Sequence, residues 1–258
     1  MIYAIGDIHG YSALLRNMLD AVLADARDRD IVRPKIVLLG DLIDRGPDSM
    51  GVINMLIAPE FAAKFDATIL LGNHEAWLIS ILGGATQNLN AWLHKGGAET
   101  IESYGISFGG DSTEKVFKRF RSAIPEKHIE FLNGLKLHSC DGNHIFVHAG
   151  MRPGLPLEQQ SANDLLWIYE EFLTYTGDFG ATVVHGHAIT RSRMIEVYQN
   201  RISVDTGAFD RNGWLSAVIL NEDGAIGSLS VNHDAKIERD RLLQIADTDT
   251  IDLPARSR

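Results

Sequence analysis

Short apolar runs closed by a glycine and a polar residue recur along the chain, and each predicts a buried strand that ends in a loop. Ile2–Ile5 runs into Gly6-Asp7-Ile8-His9-Gly10, Ile36–Leu39 into Gly40-Asp41-Leu42-Ile43-Asp44-Arg45-Gly46, and Ala67–Leu71 into Gly72-Asn73-His74-Glu75. Between the first two, Leu14, Leu15, Met18, Leu19, Val22 and Leu23 recur at helical spacing within Tyr11–Arg29. Between the second and third, Val52, Ile53, Leu56 and Ile57 do the same, with Pro47 suited to a first turn and Pro59 to a stop. The order β-α-β-α-β predicts an α/β fold with parallel strands.

The rhythm changes after Glu75. Ala76–Leu82, Asn90–His94, Glu99–Tyr104, Ser112–Ser122 and Pro125–Asn133 read as short helices separated by glycine pairs, a helical insertion over about 76–134. Such an insertion either carries specificity over the scaffold or only packs against it. Strands return at Leu135–His138 and His144–Val147, joined by an Asp141-Gly142 turn. Ala162–Tyr175 reads as one helix, and Thr182–Val184, Ile202–Val204, Leu215–Leu220 and Ile226–Val231 as strands. The reading is one domain over 1–232 and a polar C-terminal tail over 233–258, with Ala235–Ala246 as a docked helix and a frayed end.

Composition narrows the function classes. Apolar residues make up 45% of the 258 and charged residues 22%, enough to bury a sizeable core. The net charge of −10 argues against a non-specific nucleic-acid binder or a binder of anionic membranes. It leaves room for an anionic substrate, because bound divalent metals make a site locally positive. Cys140 is the single cysteine, so no intrachain disulfide forms. Neither a signal-peptide pattern nor a membrane-length apolar stretch is visible, which makes the cytoplasm the expectation; the oligomeric state is left open.

The loops behind the strands carry the chemistry. Open α/β sheets bind ligands at the carboxyl ends of their strands. Here five such ends bear acid, amide or imidazole groups: Asp7 and His9, Asp41 with Asp44 and Arg45, Asn73 with His74, His148 in His-Ala-Gly, and His187 in His-Gly-His. Two residues apart at a strand end, Asp7 and His9 project from one face. A single histidine behind an apolar run is usually a hydrogen-bonded core residue. Six positions of this kind together read as a metal site with mixed oxygen and nitrogen ligands, in which the two oxygens of Asp41 can bridge two ions.

Gly-Asp-x-His-Gly, Gly-Asp-x-x-Asp-Arg-Gly, Gly-Asn-His-Glu, His-Ala-Gly and Gly-His, in that order, resemble the phosphoprotein-phosphatase branch of the metallophosphoesterases. The likeness is to its bacterial and phage members, which include serine/threonine phosphatases and symmetrical diadenosine tetraphosphatases. It extends to Trp92-Leu93-x-x-Gly96-Gly97-x-x-Thr100 and to Asp205-Thr206-Gly207-Ala208. The resemblance implies a calcineurin-like sandwich of two mixed β-sheets flanked by helices. It also implies two divalent ions, manganese with iron or zinc as alternatives, one held by Asp7, His9 and Asp41 and the other by Asp41, Asn73, His148 and His187. His185 is assigned a structural role.

With two ions side by side, a bridging water becomes a hydroxide nucleophile near neutral pH. His74 is then placed to protonate the leaving oxygen, Asp44 to hydrogen-bond its other nitrogen, and Arg45 to clamp phosphate oxygens. Two arginines common in the family are replaced, by Leu71 and Tyr169, and Arg152 is the nearest substitute as a substrate-binding cation, ahead of Arg191 and Arg193. The leading expectation is a serine/threonine-phosphatase-like phosphomonoesterase acting on phosphoprotein or a small phosphate ester. The alternatives are a hydrolase of dinucleotide polyphosphates and a catalytically weak metal- or phosphate-binding module. The lone Asp205-Thr206-Gly207 triplet also matches aspartic proteases, but that chemistry needs two such carboxylates and leaves the histidines unexplained. Asp205 is read instead as ending a strand beside the metal loop.

Overall fold

Alternation along the first strand sets the layering. In β1 (Ile2–Ile5) the side chains of Ile2 and Ala4 enter one core and those of Tyr3 and Ile5 another. The same split recurs after β2 (Lys35–Leu38), with Val37 and Leu39 on one side and Ile36 and Leu38 on the other. A sheet buried on both faces needs a layer against each, and the computed structural model, which describes residues 1–244, supplies both.

The first layer is helical. It contains α1 (Ser12–Asp28), α2 (Ser49–Ile57), α3 (Pro59–Lys64), α4 (Asn73–Leu82), α5 (Leu89–Trp92), α6 (Ala98–Ser103), α7 (Thr113–Ala123) and α8 (Glu126–Asn133). Their apolar faces, from Leu15 and Met18 to Phe117 and Phe120, share a core with Tyr3, Ile5, Ile36 and Leu38. The insertion is therefore the far part of this layer. Its glycine-marked breaks fall close to the predicted positions, and a π-helical turn at Leu93–Gly97 joins α5 to α6.

Against the other face lies a second sheet. It is built from β4 (His138–Asp141), β5 (His144–Val147), β6 (Thr182–His185), β7 (Ile195–Val197) and β8 (Arg201–Ser203). Phe146, Val184, Ile202 and Val204 from this sheet meet Val37, Leu39 and Val218 of the first, making the inter-sheet core. Two short helices, α9 (Ala162–Trp167) and α10 (Glu170–Leu173), cover its outer face through Leu165, Phe172 and Leu173. The first sheet also contains β3 (Asp66–Ile69), β9 (Trp214–Asn221) and β10 (Gly224–Asn232).

Each sheet has six strands, in the orders β11-β10-β9-β1-β2-β3 and β12-β7-β8-β6-β5-β4, where β11 is Ile237–Arg239 and β12 is Leu242–Gln244. Both are mixed: β1, β2 and β3 run parallel in one, and β5, β6 and β8 in the other. This matches the expected sandwich. The carboxyl ends of these two parallel triplets lead to Asp7, Asp41 and Asn73 from one sheet and to His148, His187 and Asp205 from the other.

Several local expectations differ from the structure. The strand expected at Leu135–His138 is β4, which begins only at His138, and α3 starts at Pro59, where a stop was expected. The predicted helix at 235–246 is instead the pair of strands β11 and β12 as far as Gln244; its last two residues lie outside the described part, as does the expected frayed end. Backbone pairing with the edges of both sheets overrides the local pattern, and Arg239 reaches back to Asp25 on α1 at 2.5 Å. The predicted helix over Ala162–Tyr175 breaks at Ile168 and Tyr169, which leave the helical region. Strand β7 was not foreseen. No helix among the described residues is long and apolar enough to cross a membrane.

Candidate metal centre

Five polar residues of the site adopt left-handed backbone: His9 (φ 49°), Asp41 (48°), Asp44 (71°), Arg45 (69°) and His187 (62°). Such conformations cost on the order of 1–3 kcal/mol each and persist where surrounding contacts over-determine them. Those contacts are present. Glu75, fully buried in the first turn of α4, accepts the N–H groups of Leu42 and Ile43 at 2.8 and 3.0 Å with one oxygen and that of Gly72 at 2.9 Å with the other. It thereby locks the Asp41 loop to the Asn73 loop. Burial, followed by the charge of Asp41, pushes the Glu75 carboxyl up to about 8.

The Asp44–Arg45 turn is held from the helical layer. Asp44 Oδ2 accepts the Trp92 indole N–H at 2.8 Å, and Oδ1 accepts the Thr100 hydroxyl at 2.6 Å. The Arg45 N–H donates to the Gly96 carbonyl at 3.0 Å. Gly96 itself has φ +109°, and a Cβ there would sit 2.4 Å from the Arg45 nitrogen, so only glycine lets the two turns meet. The Trp92–Thr100 segment thus acts as a clamp on the Asp44–Arg45 turn, a role its sequence pattern did not reveal.

Inside this frame the ligand atoms converge. His9 Nδ1–H donates to the Ile43 carbonyl at 3.0 Å and His148 Nδ1–H to the Leu39 carbonyl at 2.8 Å, which leaves a lone pair on each Nε2. His148 Nε2 then faces Asn73 Oδ1 at 2.7 Å and Asp41 Oδ1 at 3.3 Å. His187 Nδ1 lies 3.0 Å from the same Asn73 oxygen, and His9 Nε2 lies 3.5 Å from Asp41 Oδ2. Burial above all, with the neighbouring His148, holds the His187 imidazole down to about 3, and burial likewise lowers His148 and His9. Neutral imidazole is the ligating form. Lone pairs facing one another at 2.7–3.3 Å repel unless a cation sits among them. The donor set of carboxylate, imidazole and amide oxygen is one that divalent transition metals accept, so the residues fit a metal.

Two trios of side chains could each hold a cation, His9–Asp41–His74 and Asp41–His148–His187, with their donor atoms within 4.8 Å of one another, and Asp41 belongs to both. Asp7 lies outside them. Its carboxylate accepts the His187 N–H at 3.0 and 3.1 Å and so ties the first sheet to the second. Gly186 permits this approach, since a Cβ there would lie 2.1 Å from Asp7 Oδ1. Burial, then Asp205 and Asp41, raises the Asp7 carboxyl well above its usual range, and burial with Asp41 raises Asp205 to about 6. Three crowded carboxylates are the charge surplus that divalent cations offset.

His74 completes the inner group. Its Nδ1–H donates to Asp44 Oδ2 at 2.7 Å, and Nε2 lies 3.9 Å from Asp41 Oδ2. Burial opposes the imidazolium, but the charge of Asp41 and the hydrogen bond and charge of Asp44 raise its pKa above the ordinary value.

These groups open into a cavity of about 300 Å³, lined by His9, Asp41, Arg45, His74 and His187 at the polar floor. Lys95 and Asp205 also line it, together with Trp77, Trp167, Tyr169 and Phe209. The Arg45 guanidinium lies 4.0 Å from the centre of the Phe209 ring. Arg152 is not among the lining residues. It forms a bidentate pair with Asp164, at 2.6 and 3.1 Å, and reaches Glu171 at 3.1 Å. Its closeness to His148 in sequence does not carry it into the cavity, whereas Tyr169 lines it. His185 has both ring nitrogens engaged, by the Gly186 carbonyl and the Ser203 hydroxyl.

Comparison with known proteins bears on this geometry. Residues 1–106 match the family model of the calcineurin-like phosphoesterases. A symmetrical bis(5'-nucleosyl)-tetraphosphatase of Nitrosospira multiformis is 29% identical over 158 residues, covering 61% of this chain. The match spans 46% of that relative, so about half the relative's length has a counterpart here. One similar crystal structure, of a protein provisionally assigned as a diadenosine tetraphosphatase, has a TM-score of 0.60 at 22% identity, covering 89% of this chain and 92% of that one. A cold-active protein-tyrosine phosphatase of a psychrophilic Shewanella has a TM-score of 0.57 at 15% identity, over 93% and 80% of the two chains. At these identities the two structures show a shared fold.

Proposed function

We propose, from the premise that this chain carries a calcineurin-like metallophosphoesterase domain, that it hydrolyses the phosphoanhydride chain of dinucleoside polyphosphates. The observation that carries the reading is the form of the cavity. Beyond the polar floor it has aromatic walls, and Phe209, one of its lining residues, also lines a second cavity of about 720 Å³ with Tyr11, Arg211, Asn212 and His233. A substrate with a charged middle and flat, partly apolar ends suits a polar floor with aromatic walls better than a phosphorylated side chain does. The relatives, named for symmetrical cleavage of such molecules, support the same choice over the phosphoprotein substrate expected first from the sequence.

Asp7, His9 and Asp41 would hold one divalent ion, and Asp41, Asn73, His148 and His187 the other. Bound there, the ions would supply Lewis acidity and an activated water for in-line attack on phosphorus. Arg45 lines the cavity and clamps non-bridging phosphate oxygens, its side chain steadied against Phe209. His74 gives its Nε2 proton to the leaving oxygen, while Asp44, saturated by Trp92, Thr100 and His74, stays an acceptor and keeps the ring oriented. Asp205 adds a carboxylate beside Asp41 and Asp7, where it raises the local demand for cations.

The test is a comparison of kcat/KM for diadenosine tetraphosphate, a phosphoserine peptide and p-nitrophenyl phosphate with manganese, with chromatography of the products. The proposal expects the dinucleotide to be preferred and ADP to be its main product. A preference for the phosphopeptide would return the phosphomonoesterase reading. Metal binding without turnover of any of the three would point to a binding module.

A further inference from the structure

One wall of the cavity is aromatic, and the steps proposed above give its individual residues no role. Trp77 stands one helical turn after Asn73 on α4 and shares its face. Trp167 ends α9, and Tyr169 follows at the break before α10. The Trp77 and Trp167 rings meet edge-on, with centroids 5.7 Å apart at 79°. Trp167 and Tyr169 each stand at 81° to the His187 imidazole, at 6.4 and 6.2 Å. The wall therefore begins beside the metal-binding floor.

Trp167 nevertheless keeps 40% of its surface in solvent, and it is the only tryptophan among the exposed large apolar residues of the described part. A large ring held perpendicular to its neighbours, with no described ring stacked parallel to it, keeps room for a flat partner. The same cavity presents the cationic side chains of Arg45 and Lys95. A ligand that satisfies both ends has phosphate at the floor and a planar heterocycle at the wall. That combination is a nucleotide.

We infer that the Trp77–Trp167–Tyr169 wall is a nucleobase subsite, in which the base of one nucleoside half stacks on Trp167 while its phosphates lie over the metal floor. The inference rests on the dinucleotide reading and sharpens it, by assigning recognition to ring stacking. Stacking accepts any base but gains with ring area, so purines bind better than pyrimidines. Tyr169, where the family resemblance expects an arginine, is part of this wall and replaces a charge with a ring.

The test reads binding without turnover. The manganese-loaded protein is titrated with α,β-methylene-ADP, its uridine counterpart and methylenediphosphonate, which keeps the phosphate part and lacks the nucleoside. The expected order of affinity is adenosine, then uridine, then the bare diphosphonate, with the first at least about tenfold tighter than the last. Trp167→Ala should remove most of that advantage and Trp167→Phe should keep most of it. Equal affinity of the unaltered protein for α,β-methylene-ADP and methylenediphosphonate would overturn the inference, whether or not the variants fold. So would full retention of the advantage in Trp167→Ala. A nucleoside advantage in a protein that fails to cleave diadenosine tetraphosphate would refute the proposed substrate and leave the subsite standing.

Discussion

On the side of the first sheet, Asp41, Asp44 and Arg45 sit in left-handed turns that Glu75, Trp92, Thr100 and the Gly96 carbonyl fix through hydrogen bonds. On the side of the second sheet, Trp167, Tyr169 and Arg152 occupy the ends of two short helices and a loop; Trp167 is exposed and Arg152 half-buried. The first region is largely buried and polar, with its backbone turns held by hydrogen bonds; the second is aromatic and more open. Bond-making groups need placement within fractions of an ångström, which a hydrogen-bonded loop on a rigid sheet supplies. Substrate recognition by stacking tolerates looser placement. On the proposed function, the difference would put chemistry on one wall and selection on the other.

Substitutions can break that division at several levels. The largest loss should come from His74→Gln. On an alkyl phosphate, whose leaving oxygen needs a proton, kcat should fall by roughly 100-fold or more. On p-nitrophenyl phosphate and on diadenosine tetraphosphate the fall should be smaller, because a phenolate or a phosphate oxygen leaves more readily. Equal losses on all three substrates, measured by steady-state kinetics, would mean that His74 positions substrate and donates no proton.

Thr100→Val should come next. It removes the hydroxyl that bonds Asp44 at 2.6 Å and keeps the shape of the side chain. A hydrogen bond to a charged group contributes about 1.5–3 kcal/mol, so kcat should fall roughly tenfold or more with bound metal retained. Unchanged kcat would show that the clamp from the helical insertion is dispensable.

Much of the first wall was legible in the sequence. The proposed metal ligands sit where a buried strand releases the chain, and the glycine-punctuated apolar runs mark those places for Asp7, His9, Asp41, Asn73, His148 and His187. The second wall was less legible. The helix break at Ile168 and Tyr169 has no glycine or proline to announce it, and only the resemblance, which sets Tyr169 where an arginine is common, pointed to its place beside the floor. Arg152 follows His148 closely in sequence, but Asp164 and Glu171 take up its guanidinium. The strands β11 and β12 were missed because their support comes from sheet edges and from Asp25, which lie far away in sequence.

That Asp25 cluster offers a contrast remote from the site. Asp25 is buried and accepts Tyr3 Oη–H at 2.8 Å, Arg29 at 2.7 Å and Arg239 at 2.5 Å. Burial raises its pKa, but the hydrogen bonds from Arg29 and Tyr3 and the two positive charges outweigh burial and leave it below the usual value. A lowered carboxyl contributes stability that is present above the ordinary pKa, about 3.9, and is lost as pH falls through the folded value. Asp25→Ala should destabilise by about 1–3 kcal/mol near neutral pH, since the arginines can turn to water while the Tyr3 hydroxyl stays buried. Chemical denaturation at pH 7 and pH 3 should show the gap between variant and wild type narrowing in acid. A constant gap would contradict the assignment.

Arg152→Ala should have the smallest effect on turnover, under about threefold in kcat/KM, because an exposed ion pair contributes little and the guanidinium lies off the cavity. A loss of tenfold or more would bring Arg152 back as a substrate clamp.

The proposed convergence of both sheets on a shared pair of ions is tested most directly by metal content. Native mass spectrometry of the manganese-loaded protein should find two ions per chain. Asp41→Asn, which alters the one residue common to both ligand trios, should lose most of both, and His148→Ala should lose chiefly one. Two ions retained in Asp41→Asn, or none bound by the unaltered protein, would contradict the account.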